Sequence, residues 1–322
     1  AKTNTFDLLH FTLHHLAMDA DAADTVVFEA PAHFRFYKSG KIERLNRPPI
    51  LPAGVDEATG VTSKDVVLDA DTGLSVRLYL PKLHQNTSTK LPVLVYFHGG
   101  SFLIGSADDA TYHTYVNALA AAAGVLAVSV DYRLAPEHPL PAAYDDSWAA
   151  LRWAASAQDG WIAEHGDLSR LFLAGDSAGA NIVHDMLMRA ASGGDGSPRV
   201  EGAILLHPWF SGCAPIEGEP PAATVVTGML WSYACPGAVG GADDPRMNPL
   251  APGAPALEKL GGVRMADGLA ARDRAYYDAV ASHGAAAWHG SEGEGHVFFL
   301  QKPGCDNAKQ LMDRVVAFIA GA

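Results

Sequence analysis

Residues 175–179 read Gly-Asp-Ser-Ala-Gly, one serine between two glycines, behind the apolar run Leu171–Ala174 and ahead of a helix-like pattern. A serine hydroxyl is a weak nucleophile until a neighbouring base takes its proton. A sharp strand-to-helix elbow at this point would lift the Ser177 hydroxyl above a sheet edge. Such an elbow needs small neighbours, and Ala174, Ala178 and Ala180 supply them. The helix N-terminus would add the positive end of its dipole beneath the reacting oxygen. The pentapeptide alone also fits a glycine-rich turn in which Ser177 merely caps the helix.

Acyl chemistry at Ser177 would further require oxyanion donors, a base and an acid. The run Leu91–Phe97 ends in His98-Gly99-Gly100-Ser101-Phe102. A strand that stops in consecutive glycines exposes N–H groups no sheet partner uses, and two of these with the N–H of Ala178 would hold an oxyanion. The chain has 14 histidines, so position has to select the base. His98 reads as a hydrogen-bonder behind the glycine loop, His207 ends a strand before Pro208, and His138 lies in a proline-rich turn. His296 differs, because Glu-Gly-Glu-Gly-His-Val at 292–297 follows a late strand and can bring distant chain over Ser177. The acid should precede the base and hold its other nitrogen. Asp267 follows the apolar Val263-Arg264-Met265-Ala266 at a plausible strand end. Asp243, Asp244 and Asp273 are rivals, the last expected on a helix facing solvent.

These groups need a frame that brings residues 99, 177 and 296 together. Strand signals recur in KDVVLDA, LSVRLYLP, LPVLVYF, VLAVSVDY and VEGAILLHP. Helical patterns separate the later ones: TYHTYVNALAAAAG, DSWAALRWAAS, the segment after Ser177, RDRAYYDAVASHG and AKQLMDRVVAFIAG. That alternation predicts an α/β fold with a mostly parallel sheet covered on both faces. Regularity fails between Trp209 and about residue 257, which reads as an inserted cap and not a second core. Leu9, Leu13, Leu16 and Ala17 are spaced as on an amphipathic helix. A single domain over residues 1–322 is expected.

Composition narrows the function classes. A net charge of −13 with no basic patch argues against nucleic-acid binding. Cys213, Cys235 and Cys305 are too few and scattered for a disulfide framework or a zinc site, which favours a reducing compartment. No stretch approaches the roughly 20 apolar residues of a membrane span. The N-terminus lacks the basic start and apolar run of a signal peptide, so a cytoplasmic location is expected. No Gly-x-Gly-x-x-Gly opens a helix and no His/Cys spacing suits a metal, so no cofactor is expected and the partner is a small molecule.

Taken in order, HGG, GDSAG, Asp267 and GEGHVF resemble the hormone-sensitive-lipase-like branch of the α/β-hydrolases, and within it the plant carboxylesterases. The resemblance covers nearly the whole chain, including SVDYRLAPEHPLPAAYDDSWAALRW, LLHPWF and DPRMNPL. It implies Ser177 as nucleophile, His296 as base, Asp267 as acid and the N–H groups of Gly99, Gly100, Ser101 and Ala178 as the oxyanion hole. It also implies a cap built from about residues 1–50 and 209–257, and hydrolysis of short-chain acyl esters of small molecules. Phe102, Tyr132, Asp176, Trp209 and Phe210 are the candidate substrate-facing residues. Ser101 departs from the branch pattern by replacing its usual third glycine, and the apolar run before Asp267 is shorter than usual. Two other functions occur on this fold. Gibberellin-receptor relatives replace the base histidine with an aliphatic residue, and isoflavanone-type dehydratases carry threonine at the nucleophile position. His296 and Ser177 argue against each in turn.

Overall fold

The computed structural model describes residues 25–30, 33–45, 47–83, 89–194, 196–219, 221–260, 264–266, 271–291 and 293–321. The amphipathic helix expected near residues 9–17 and the candidate acid Asp267 lie outside them.

The chain enters through a small antiparallel sheet, β1 (Val26–Ala30), β2 (Phe34–Tyr37) and β3 (Ile42–Arg44). Phe34 and Phe36 point inward while Arg35 and Tyr37 stay partly exposed, the alternation of a half-buried strand. Next come β4 (Thr62–Val67), β5 (Ser75–Leu80) and β6 (Leu91–Phe97), then α1 (Ala110–Ala123) and β7 (Leu126–Asp131). Helices α2 (Ala142–Ala155) and α3 (Gly160–His165) precede β8 (Gly166–Asp176), which runs into α4 (Ala178–Ser192) and then β9 (Gly202–Leu206). The remainder holds α5 (Pro221–Ala234), β10 (Arg264–Ala266), α6 (Ala271–Ala281), β11 (Ala286–Ala287), α7 (Phe298–Gln301) and α8 (Asp306–Ala320).

Strands β4 to β11 form one eight-stranded sheet in the order β11-β10-β9-β8-β6-β7-β5-β4. The pairs from β11 through β7 are parallel, and only β5 and β4 join antiparallel. Alternate residues of β6 feed opposite cores. Val93, Val95 and Phe97 pack with residues of α2 and α4, whereas Leu94 and Tyr96 pack with residues of α1, α7 and α8. A strand buried on both faces has to be apolar throughout, which is why this run carries no polar alternation. Helix α1 opens on the Asp109 carboxylate, which accepts the N–H of Tyr112, and closes on Gly124 in the left-handed conformation.

Two departures from expectation stand out. The sheet β1–β3 was not foreseen, although Phe34 and Phe36 alternate as a strand should. The irregular stretch after Trp209 contains the 14-residue helix α5. Tyr233 of α5 stacks on Phe36 of β2 with ring centroids 3.5 Å apart, joining the two segments. Arg44 then fixes β3 to the chain beyond the glycine loop. It donates to the carbonyls of Leu103 and Ala135 and pairs with Glu137 at 2.7 Å.

From β6 the chain crosses to β7 on one side, then returns to β8 on the other. Reversal of strand order opens a crevice at the carboxyl ends of β6 and β8, where ligands of open α/β sheets bind. Gly99 to Ser101 leave one of those ends and Ser177 the other.

Candidate active site

Ser177 sits at φ 53°, ψ −117°, between the last residue of β8 and the first of α4. The sharpness of this elbow explains both flanking glycines. A Cβ on Gly179 would overlap the carbonyl oxygen of Phe97, and one on Gly175 would collide with Gly179 itself. The Ser177 side chain makes no capping bond to α4. Its Oγ lies 2.9 Å from Nε2 of His296, 119 residues further along the chain. That contact decides between the two readings of the pentapeptide: this serine faces an imidazole and does not cap a helix.

Ser177 is 7% exposed, and His296 keeps partial access to solvent. Protein packed around the imidazole disfavours its cation and lowers its pKa from 6.5 to about 4. His296 is therefore neutral near pH 7 and free to accept a proton.

Three consecutive residues of the glycine loop have positive φ: Gly100 at 109°, Ser101 at 57° and Phe102 at 63°. A Cβ on Gly100 would run into the Ile104 carbonyl, so only glycine fits there. Ser101 tolerates the left-handed region at some cost in strain, and keeps its N–H. The N–H of Gly99 is already taken, donating to Tyr112 Oη at 2.9 Å and Asp176 Oδ1 at 3.1 Å. Gly99, expected as an oxyanion donor, is thus corrected to a residue whose N–H is engaged within the fold.

The substrate-facing candidates are corrected in the same way. Asp176 is buried, with Oδ1 accepting from Tyr96 Oη and Gly99 N–H and Oδ2 from Tyr112 Oη. Burial pushes its carboxyl up to about 7, against the pull of those donors. Tyr132 donates to the His98 carbonyl at 2.6 Å and stacks on the His98 ring, behind the glycine loop. Phe210 packs against His184 and Tyr276, towards α6. Phe102 is fully buried among Tyr132, Tyr144, Trp209 and Trp231. Of the five, Trp209 is the one that is only partly buried.

Two rivals for the acid are engaged elsewhere. Asp243 accepts from the Cys213 N–H and the Asn248 amide, and Asp244 pairs with Arg246 at 2.6 Å. Asp273 is buried on α6, not turned to solvent as its sequence neighbours suggested.

A sequence profile of the alpha/beta hydrolase fold matches residues 94–300. The chain belongs to that family. It is similar to tuliposide A-converting enzyme 1, chloroplastic, of Tulipa gesneriana, with 44% identity over 92% of this chain and 79% of that protein. It is 41% identical to the 2-hydroxyisoflavanone dehydratase of Glycyrrhiza echinata, over 90% of this chain and 95% of the relative. Probable carboxylesterase 13 of Arabidopsis thaliana is 40% identical over 88% and 95%. Among solved structures, esterase LipW from Mycobacterium marinum superposes with a TM-score of 0.66 at 28% identity, covering 82% of each chain. This is a plant carboxylesterase-type α/β-hydrolase.

The relatives overturn one expectation. Tuliposide A-converting enzymes 1 and 2 are chloroplastic and enzyme b3 is amyloplastic, so the cytoplasmic location inferred for this hydrolase is withdrawn. Among the described residues no helix is long and apolar enough to cross a membrane.

Sequence reasoning missed the supports behind the hydrolase site. Tyr96 and Tyr112 reach the same carboxylate from β6 and α1. Their only signal was a tyrosine in the otherwise apolar β6 run and another in the first turn of α1.

Proposed function

We propose that this α/β-hydrolase is a carboxylic-ester hydrolase working through an acyl-enzyme on Ser177. The observation that carries the reading is the 2.9 Å approach of His296 Nε2 to an elbow serine with no capping role. His296 takes the hydroxyl proton as Oγ bonds to the ester carbonyl carbon. The N–H groups of Gly100, Ser101 and Ala178 receive the oxyanion, each worth roughly 2.7–4 kcal/mol of barrier in comparable holes. Collapse breaks the ester C–O bond, and His296 returns the proton to the departing alcohol. Water then attacks the acyl carbon and gives a proton to His296, which returns it to Ser177 Oγ as the acyl C–Oγ bond breaks, releasing the carboxylic acid and restoring the free enzyme. Asp267, from its place in the chain after β10, is the acid proposed to hold the other imidazole nitrogen.

The segment β1–β3 and the stretch 209–257, joined by the stacking of Phe36 on Tyr233, are proposed to form the cap. The plastid relatives favour a plastid location for this chain too. A dehydratase is the second reading, motivated by the relative at 41% identity. The serine at position 177, in contact with a neutral imidazole, favours hydrolysis over it.

Turnover of p-nitrophenyl butyrate tests the proposal. Ser177→Ala and His296→Ala are each expected to lose about 10^3-fold or more in kcat with the fold intact. Undiminished hydrolysis in the folded Ser177→Ala variant refutes it.

A further inference from the structure

The turn that follows β9 touches both halves of the site. The Leu206 carbonyl accepts the N–H of Ser177 at 2.9 Å, and the Trp209 N–H donates to the Ser177 carbonyl at 3.0 Å. The nucleophile is thus gripped through its backbone on both sides. Between these two anchors lies His207, at φ 48°, a region that residues other than glycine seldom occupy. Its Nδ1 accepts the N–H of Val297 at 2.8 Å. Val297 directly follows His296 and is itself held at φ 50°. Four residues therefore hold Ser177 by the main chain and the His296 loop by a side chain.

The bond to Val297 fixes the state of the ring. A nitrogen that accepts must keep its lone pair, so His207 is neutral with its proton on Nε2. Only 1% of the residue is exposed, and burial together with the nearby His296 holds its pKa well below the usual value. Phe298 and Phe299 flank the ring at centroid distances of 5.7 and 5.6 Å, and His296 lies at 5.8 Å. His207 makes its side-chain hydrogen bond to Val297, beside the base, while its main-chain neighbours Leu206 and Trp209 hold the Ser177 backbone.

We propose that His207 is a positioning residue whose Nδ1 acceptor sets the reach of the His296 base to Ser177. The proposal rests on the ester-hydrolase reading. The alternative is that His207 serves as packing alone, a flat ring among phenylalanines.

Two substitutions separate these roles. His207→Phe keeps a ring of similar size and deletes the acceptor, whereas His207→Asn keeps an acceptor near the Nδ1 position and deletes the ring. With p-nitrophenyl butyrate, His207→Phe is expected to lower kcat about 10- to 100-fold, with KM within about threefold, since small misplacement of a catalytic group costs of that order. His207→Asn is expected to recover kcat to within about fivefold of wild type. In a His296→Ala background, His207→Phe is expected to cause no further loss of the residual rate. Should His207→Phe fail to fold, His207→Gln, with its acceptor displaced by one methylene, is expected to give an intermediate kcat at unchanged KM.

Wild-type kcat in folded His207→Phe overturns the proposal. So does an equal loss in both His296 backgrounds, or a His207→Asn variant no better than the phenylalanine one. Full activity in His296→Ala itself would instead refute the ester-hydrolase reading, a result distinct from any of these.

Discussion

Ser177 holds backbone angles that an L-residue adopts only under constraint, φ 53° and ψ −117°, with a strain of about 1–3 kcal/mol typical of such sites. Glycine carries no such penalty. Ser177→Gly is expected to unfold at a higher temperature than wild type while losing ester hydrolysis, as scanning calorimetry beside an activity assay will show. His296 has the opposite character, an ordinary residue in an unusual medium. Its lowered pKa means that the neutral base persists below 6.5 and is lost only as pH falls towards about 4. Burial alone therefore places the acid limb of kcat/KM below 6.5, with the proposed Asp267 carboxylate pulling the midpoint back up from 4; a midpoint above 6.5 contradicts this. The glycines at 175 and 179 and the Gly-Glu-Gly run before His296 are the local signals that singled out these two residues, which the fold brings within 2.9 Å of each other. Gly99 and Asp176 were misassigned because hydrogen bonds spent on partners 13 and 77 residues away leave no local pattern.

Among the elements, β6, β8 and α1 meet at a single carboxylate. Tyr112 of α1 accepts from Gly99 and donates to Asp176, binding the glycine loop to the end of β8. Tyr112→Phe leaves a buried carboxylate oxygen short of a donor, a loss of about 1–3 kcal/mol. It should lower both the unfolding free energy and kcat, measured by denaturant titration and steady-state kinetics. The junction of β8 with α4 is less forgiving. A methyl group on Gly179 meets the Phe97 backbone, which cannot step aside without opening β6, so Gly179→Ala is expected to abolish activity. Long apolar strands and capped helices such as β6 and α1 could be read from sequence, since burial on both faces and a closing glycine are local signals. The sheet β1–β3 could not, because its few short strands are held by contacts such as Phe36 on Tyr233, nearly 200 residues apart. Helix α5 was hidden by the prolines and glycines around it.

The whole molecule encloses titratable groups that make its stability depend on pH. His184 and His207 are both buried, and burial lowers the pKa of each, the first to about 4 and the second well below its usual value. Their folded values lie below the unfolded one, so the stability they contribute is complete above about 6.5 and is lost as pH falls. Asp176 acts in the opposite sense. Its carboxyl is raised to about 7, so its contribution is complete below its unfolded value near 3.8 and is lost as pH rises through 7. His98 and His296 are lowered as well, and Asp131 and Asp185 raised. With four histidines against three carboxyls, the melting temperature is expected to fall on acidification below about pH 6.5, and a flat profile from pH 7 to 5 contradicts this. The α/β sheet covered on both faces was visible in the sequence because its strands and helices repeat local rules. The supports behind Ser177 and His296 arise only when eight strands are ordered and the crevice between β6 and β8 exists. The most direct test of the account is mass spectrometry of the folded protein after treatment with a p-nitrophenyl alkylphosphonate. The account predicts one phosphonyl group per chain, on the peptide containing Ser177, formed together with the loss of esterase activity. Labelling at another residue, or complete modification of Ser177 with hydrolysis intact, would contradict it.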